Sequence, residues 1–239
     1  MFPDDLFYFK WKVIKMKLLS LASVALSSQI KRDVRSPTES QAGIHDEMQI
    51  NEGLNLFEGD IELGPSKMNI QTDLTFRWPG ARLYVDVGAD LDPNVVGVLH
   101  QAIRELEAKS QVRFYRRQDK DADFIITYRG GGCSSAVGRQ GGQQQISLAD
   151  GCARMATIMH EFTHAMGVLH AHSRPDRDDH VIIHWENIRA GYENNFDKAE
   201  GNAWTTFDMP YNYMSVMHYA RDQNVFITLG NFIPLKLSQ

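Results

Sequence analysis

The sequence predicts an α+β domain: several short strands, two helices of which the second is long and rich in histidine, and an irregular stretch after them. Three observations carry this. Short segments such as "RLYVDV", "VRFYRR" and "ADFIITYRG" have the alternation and the β-branched and aromatic enrichment of strands. Two stretches, "DPNVVGVLHQAIRELEAKSQ" and "ARMATIMHEFTHAMGVLH", have helical periodicity. Beyond them the pattern becomes irregular, with one more short helix expected near "WENIRAGYENNF".

The elements follow in order. Lys10, Lys12, Lys15 and Lys17 precede a short apolar run at 18–26, which is too short to span a bilayer. Ala25 and Ser27 form a small −3/−1 pair, so residues 1–27 read as a secretory signal, with Met16 as the working start. The chain is therefore expected outside the cell, and no other stretch reads as a membrane span. Residues 28–70 are polar and uneven and read as a prosegment or linker. From residue 71 the texture is that of a folded domain. Leu83, Val85 and Val87 alternate as in a half-buried strand. Asp92 is the expected N-cap and Pro93 the first residue of a helix whose stripe is Val96, Leu99, Ile103 and Leu106. The glycine-rich "GGGCSSAVGRQGGQQQISLADGC" reads as a loop and an edge strand between Cys133 and Cys152. In a secreted chain these two cysteines would form one bridge worth roughly 3 kcal/mol; in a cytosolic chain they would be buried thiols. The net charge of −5, with no long basic block, excludes a nucleic-acid partner.

The densest chemistry is "HEFTHAMGVLH". His160 and His164 are four apart, so one helical turn places both rings on one face, within reach of one metal ion. Glu161, beside the first of them, can hold a water rather than the metal. Gly167 can end the helix with positive φ and turn the chain back, bringing His170 in as a third ligand. Three imidazoles suit zinc, one ion per chain. H-E-x-x-H alone turns up by chance, but the extended spacing rarely does.

Downstream, "YNYMSVMHYA" looks like the Met-turn of the metzincins, and its S-V-M-H-Y resembles the astacin family of zinc endopeptidases. "HSRPDRDDH", "FRWPG" and "VGRQGGQQQISL" resemble astacin segments as well, over about 78–219. The resemblance implies a metzincin-type fold with a cleft between an upper twisted mixed sheet and an irregular lower half. It implies zinc ligation by His160, His164 and His170, with Glu161 as general base. Tyr219 would be an extra ligand that swings away to stabilise the oxyanion, and Met217 a hydrophobic floor. "QQQISL" would be the edge strand that pairs with an extended protein or peptide substrate. His172, His180, His184 and His218 read as ordinary polar or structural residues. "FEGD", 57–60, resembles the F-x-G-D element of astacin proparts, making Asp60 the candidate that ligates zinc in a latent form awaiting an activating protease. Cys133 and Cys152 match one family disulfide.

The chain departs from the family pattern in two places. Ala171 stands where astacins have a glutamate tied to the mature N-terminus. The second family disulfide has no cysteines, its first position being Gln111, and the catalytic domain, 71–239, reads as truncated at its C-terminus. These departures sustain a rival reading, a non-catalytic peptide- or metal-binding member of the same fold. Intact Glu161 and Tyr219 argue against it.

Overall fold

Leu83 and Val85 alternate with Arg82, Tyr84 and Asp86, and this period-two pattern forms the first strand, β1, Arg82–Val87, with Leu83 and Val85 buried. The computed structural model describes residues 50–63, 74–188, 190–199, 205–206 and 208–219, together with the backbone of 227–229. The predicted signal, most of the polar segment and the C-terminal tail fall outside the described residues.

Helix α1, Pro93–Lys109, follows β1. Asp92 caps it, its carboxylate accepting from the Asn94 amide at 2.8 Å, and Pro93 opens it. Its buried stripe is Val95, Leu99, Ala102 and Leu106, which keeps Leu99 and Leu106 of the expected stripe and has Val95 and Ala102 in place of Val96 and Ile103. Val96 and Ile103 are only half-buried against the core. Ala102 is wholly buried on the same face as the larger Val95, Leu99 and Leu106. Strands β2, Arg113–Arg116, and β3, Phe124–Tyr128, lie on either side of β1, both parallel to it.

The rest of the sheet corrects the expected edge. β5, Gln143–Leu148, is interior, parallel to β3 on one side and antiparallel to β4, Cys133–Ser135, on the other. The order is β2-β1-β3-β5-β4. The Cys133–Cys152 disulfide forms and ties the outer strand β4 to the turn that precedes the second helix. The alternation of "QQQISL" gave no sign that a three-residue strand of small side chains would cover it.

Helix α2, Met155–Ala165, presents Ile158, Phe162 and Ala165 to the upper core with Leu83, Leu99, Ile125, Ile146 and Leu148. The leucine, isoleucine and phenylalanine side chains among these contribute about 1.5–3 kcal/mol each when fully buried. Phe162 meets the ring of Phe114 edge-on, centroids 5.4 Å apart. The helix is shorter than the periodic stretch that predicts it. The indole N–H of Trp78 donates to the Ala165 carbonyl at 2.8 Å, and Gly167 turns the chain at φ +98°.

The lower half has its own core of Val181, Ile183, Ile188, Phe196 and Tyr219. β6, Val181–Ile183, pairs antiparallel with β7, Ile227–Leu229, a ribbon the sequence did not announce. The short helix expected near "WENIRAGYENNF" is two separate 3-10 turns, Trp185–Asn187 and Glu193–Phe196, because Gly191 at φ +92° breaks the run between them. Among the described residues, no helix is long and apolar enough to cross a membrane.

Candidate metal centre

Helix α2 carries His160 and His164 one turn apart, and the turn at Gly167 brings His170 back to face them. The Gly167 amide donates to the His164 carbonyl at 2.7 Å and the Val168 amide to Thr163 at 3.2 Å, which closes the helix. All three imidazoles are buried, their ring centroids 4.6–5.1 Å apart. Their Nδ1 atoms point away from one another. That of His160 bonds the Val216 carbonyl at 2.7 Å, and that of His164 the Val168 carbonyl at 2.8 Å. Nδ1 of His170 instead meets the carboxylate of Glu58 at 2.7 Å. The three Nε2 atoms converge.

Asp60 fills the point of convergence. Its Oδ2 lies 3.0 Å from Nε2 of His160 and 3.2 Å from Nε2 of His170, and its Oδ1 lies 3.5 Å from Nε2 of His164. The Nε2 atoms of His160 and His170 are 3.2 Å apart. A tetrahedral zinc with bonds near 2.0–2.1 Å holds its donors about 3.3 Å from one another, so these four groups already have the spacing of a zinc shell. Asp60 Oδ1 and His164 Nε2 are buried with no hydrogen-bond partner, as donor atoms awaiting a cation would be. Three imidazoles and a carboxylate also suit zinc chemically, so the residues present fit the metal.

The charges follow from burial and proximity. Burial pushes His164 down to about 4, with His160 adding to the effect. Burial opposes charge on His170 too, but Asp60 and Glu58 outweigh it and raise the ring to about 10. Burial likewise opposes Asp60, yet His170 and the contacts to His160 and His164 hold its carboxyl well below the usual range. Burial keeps His172 well below the ordinary histidine value.

The segment carrying Asp60 lies along the outer edge of β4. The Ser135 amide donates to the Asp60 carbonyl at 3.1 Å, and the Glu62 amide to the Ser135 carbonyl at 3.0 Å, a parallel bridge at Ile61. Glu62 also accepts from the Ser134 hydroxyl at 2.7 Å. Residues of the predicted prosegment therefore occupy the outer edge of the sheet.

Glu161 is fully buried on α2, next to His160. Tyr219 is buried, and its hydroxyl donates to the Glu58 carbonyl. Met217 is buried, and its carbonyl accepts from the Ala171 amide at 2.7 Å. The segment around Met217 thus braces the site with two carbonyls, Val216 against His160 and Met217 against the residue after His170. His172, read as structural, is wholly buried at the site: it stacks on His170 at 5.2 Å and lies 3.8 Å from the Tyr219 ring, while its Nε2 meets the Asn195 carbonyl at 3.0 Å. Among the other histidines, His218 bonds the Tyr211 hydroxyl at 2.8 Å and His180 stacks on Tyr211, whereas His184 meets Glu186 at 3.2 Å. Two residues at the centre had no signal in the sequence. Glu58 is the variable position of "FEGD", and Ser173, which donates to Glu58 at 2.8 Å, lies in "HSRPDRDDH", where nothing in the pattern gives it a role of its own.

A mixed sheet over an H-E-x-x-H helix, with a third histidine beyond a glycine turn and a methionine-bearing turn beneath, defines a metzincin-type zinc-peptidase fold. The family model for astacin, a peptidase family, matches residues 70–229. Rat meprin A subunit beta is 33% identical over 220 residues, covering 91% of this chain but 30% of the meprin subunit. Zinc metalloproteinase nas-6 of Caenorhabditis elegans is 35% identical over 173 residues, 68% of this chain and 50% of its own length. Among solved structures, high choriolytic enzyme 1, a hatching enzyme zinc-protease from the medaka fish Oryzias latipes, superposes with a TM-score of 0.58. It is 32% identical and is covered over 86% of its length by 73% of this chain. The chain belongs to the astacin family. It spans half or less of these two curated relatives.

Proposed function

We propose that this chain is the latent form of a secreted zinc endopeptidase, with residues 28–70 as its prosegment and the domain from residue 71 as its catalytic part. The observation that carries the reading is the Asp60 carboxylate, 3.0–3.5 Å from the Nε2 atoms of all three histidines. His160, His164 and His170 would hold zinc, and Asp60 would take the coordination position that an attacking water needs. Secretion is supported by the lysine-led apolar run at the N-terminus and by the disulfide, which persists in oxidising compartments.

Zinc, when bound, supplies a Lewis acid that polarises the scissile carbonyl and acidifies water. The chain's own residues do the rest. Glu161, dry and beside the first ligand, accepts the proton of the attacking water and returns it to the leaving amine. Tyr219 gives up its bond to Glu58 when the prosegment leaves, and its hydroxyl then donates to the developing oxyanion. The vacated edge of β4 pairs with an extended peptide through the Cys133 and Ser135 backbone groups. A separate protease supplies the first cut between the prosegment and the domain.

The test is cleavage of a broad protein substrate after removal of the prosegment. Activity is expected to vanish with a zinc chelator and return with zinc. Glu161→Gln should keep stoichiometric zinc and lose cleavage by at least about a hundredfold, the lower end for a general base. Zinc-loaded, folded protein that never cleaves would leave only the binding-protein reading.

A further inference from the structure

The three zinc-facing imidazoles are not oriented alike. His160 and His164 give their Nδ1 atoms to carbonyls of Val216 and Val168, which belong to the catalytic domain and stay with it. His170 gives its Nδ1 to Glu58, a residue of the prosegment 112 positions earlier. That carboxylate is buried, 2% exposed, and placed by three contacts: its Oε2 on His170, its Oε1 on the Ser173 hydroxyl at 2.8 Å, and the carbonyl of the same residue on the Tyr219 hydroxyl. Glu58 also holds a left-handed backbone, φ 47°, which few residues with a side chain adopt. The segment accepts that conformation while directing a carboxylate inward.

A carboxylate on the far nitrogen of a metal-binding histidine fixes the tautomer, orients the ring and raises its basicity as a ligand. We infer that Glu58 is a positioning residue for His170, so that the latent chain holds its metal more tightly than Asp60 ligation alone would give. Loss of the prosegment then removes two things at once, a ligand and the group that steers the third histidine. The prosegment in this arrangement loads the metal centre as well as blocking it. The inference rests on the proposed zinc site and concerns affinity rather than catalysis.

The experiment uses the intact latent chain. Its zinc dissociation constant is read by competition with a chromophoric chelator, and its ligand set from the absorption spectrum after cobalt substitution. Glu58→Ala is expected to weaken zinc by about 10–100-fold, with a cobalt spectrum that still reports Asp60 in the shell and so differs from that of Asp60→Ala. Glu58→Gln keeps an acceptor oxygen without the charge and should fall between Glu58→Ala and the parent. It carries the test alone if the alanine variant does not fold. Ser173→Ala removes the other contact of the same carboxylate while Oε2 stays on His170, and should weaken zinc by less than Glu58→Ala does. The inference is overturned if the folded Glu58 variants bind zinc as the parent does. It is also overturned if their cobalt spectra coincide with that of Asp60→Ala, because Glu58 would then merely dock the segment. A parent chain that binds no zinc at all sinks the metal site itself, a result distinct from either.

Discussion

The side-chain amide of Asn51 pairs with the peptide group of Cys133 as one strand residue pairs with another. Its Oδ1 accepts from the Cys133 amide at 2.8 Å, and its Nδ2 donates to the Cys133 carbonyl at 2.6 Å and to the Gly59 carbonyl at 3.0 Å. Both residues are buried. One asparagine thus covers the end of the β4 edge that the backbone of residues 60–62 leaves open. Asn51→Ala strips the partners from both Cys133 groups, at about 1–3 kcal/mol for each one left buried. In the intact chain, hydrogen exchange at the Cys133 amide should quicken by at least about tenfold, the equivalent of 1.4 kcal/mol. Unchanged exchange would mean that Asn51 is a passenger on the edge.

Gly132 makes a complementary prediction from the other side of that contact. A Cβ built there would stand 2.1 Å from Asn51 Oδ1 and 2.7 Å from Leu54 Cδ1, and both neighbours belong to the predicted prosegment. Gly132→Ala should therefore displace the segment and expose it to limited proteolysis, while the thermal stability of the domain freed of residues 50–63 should hardly change. Equal destabilisation of both forms would show that Gly132 serves the domain's own loop instead.

How far the sequence reveals this site depends on how local each contact is. His160, His164 and Gly167 act within one helix and its end, so their spacing alone declares the geometry. His170 follows from the glycine turn. Asp60 needed a resemblance, because nothing within four residues of "FEGD" specifies three rings 100 to 110 positions away. Asn51 and Glu58 escaped altogether: a lone asparagine and a variable glutamate acquire meaning only when folding brings Cys133 and His170 to them. The reading of "QQQISL" as an edge strand failed for a related reason. β5 has the composition of a readable strand and β4 does not, yet β4 is outermost because the disulfide and its antiparallel pairing put it there. The α1 stripe missed Ala102 because a methyl group carries little hydrophobic signal, although the residue is fully buried.

Asp60→Ala separates blocking from loading. Removing the carboxylate frees the coordination position while the three histidines keep their places, so the uncut chain should bind zinc, more weakly than the parent, and acquire measurable peptidase activity. A chelator should abolish that activity. Silence from a folded, zinc-loaded Asp60→Ala chain would shift the block from the metal to the covered β4 edge, and the double variant with Asn51→Ala should then recover cleavage.

The disulfide offers the last prediction, because it ties the outer strand of the sheet to the approach to the histidine helix. Cys133 lies at the start of β4, and Cys152 ends the 3-10 turn Asp150–Cys152, three residues before α2 begins. The bridge closes a loop of 19 residues that contains the whole of β5. A loop of that size contributes roughly 3 kcal/mol, which for a domain of this length corresponds to a fall in Tm of about 6–12 °C on removal. Cys133→Ala with Cys152→Ala should show that fall in the zinc-loaded chain. Hydrogen exchange should rise first at Ser134 and Ser135, since among the described residues β4 is the outermost strand of its sheet, with only the bridge at Ile61 beyond it. If the fall in Tm appears without that local loosening, the bridge acts on the unfolded chain alone. If β4 loosens, the disulfide is what holds in place the strand edge along which residues 60–62 lie.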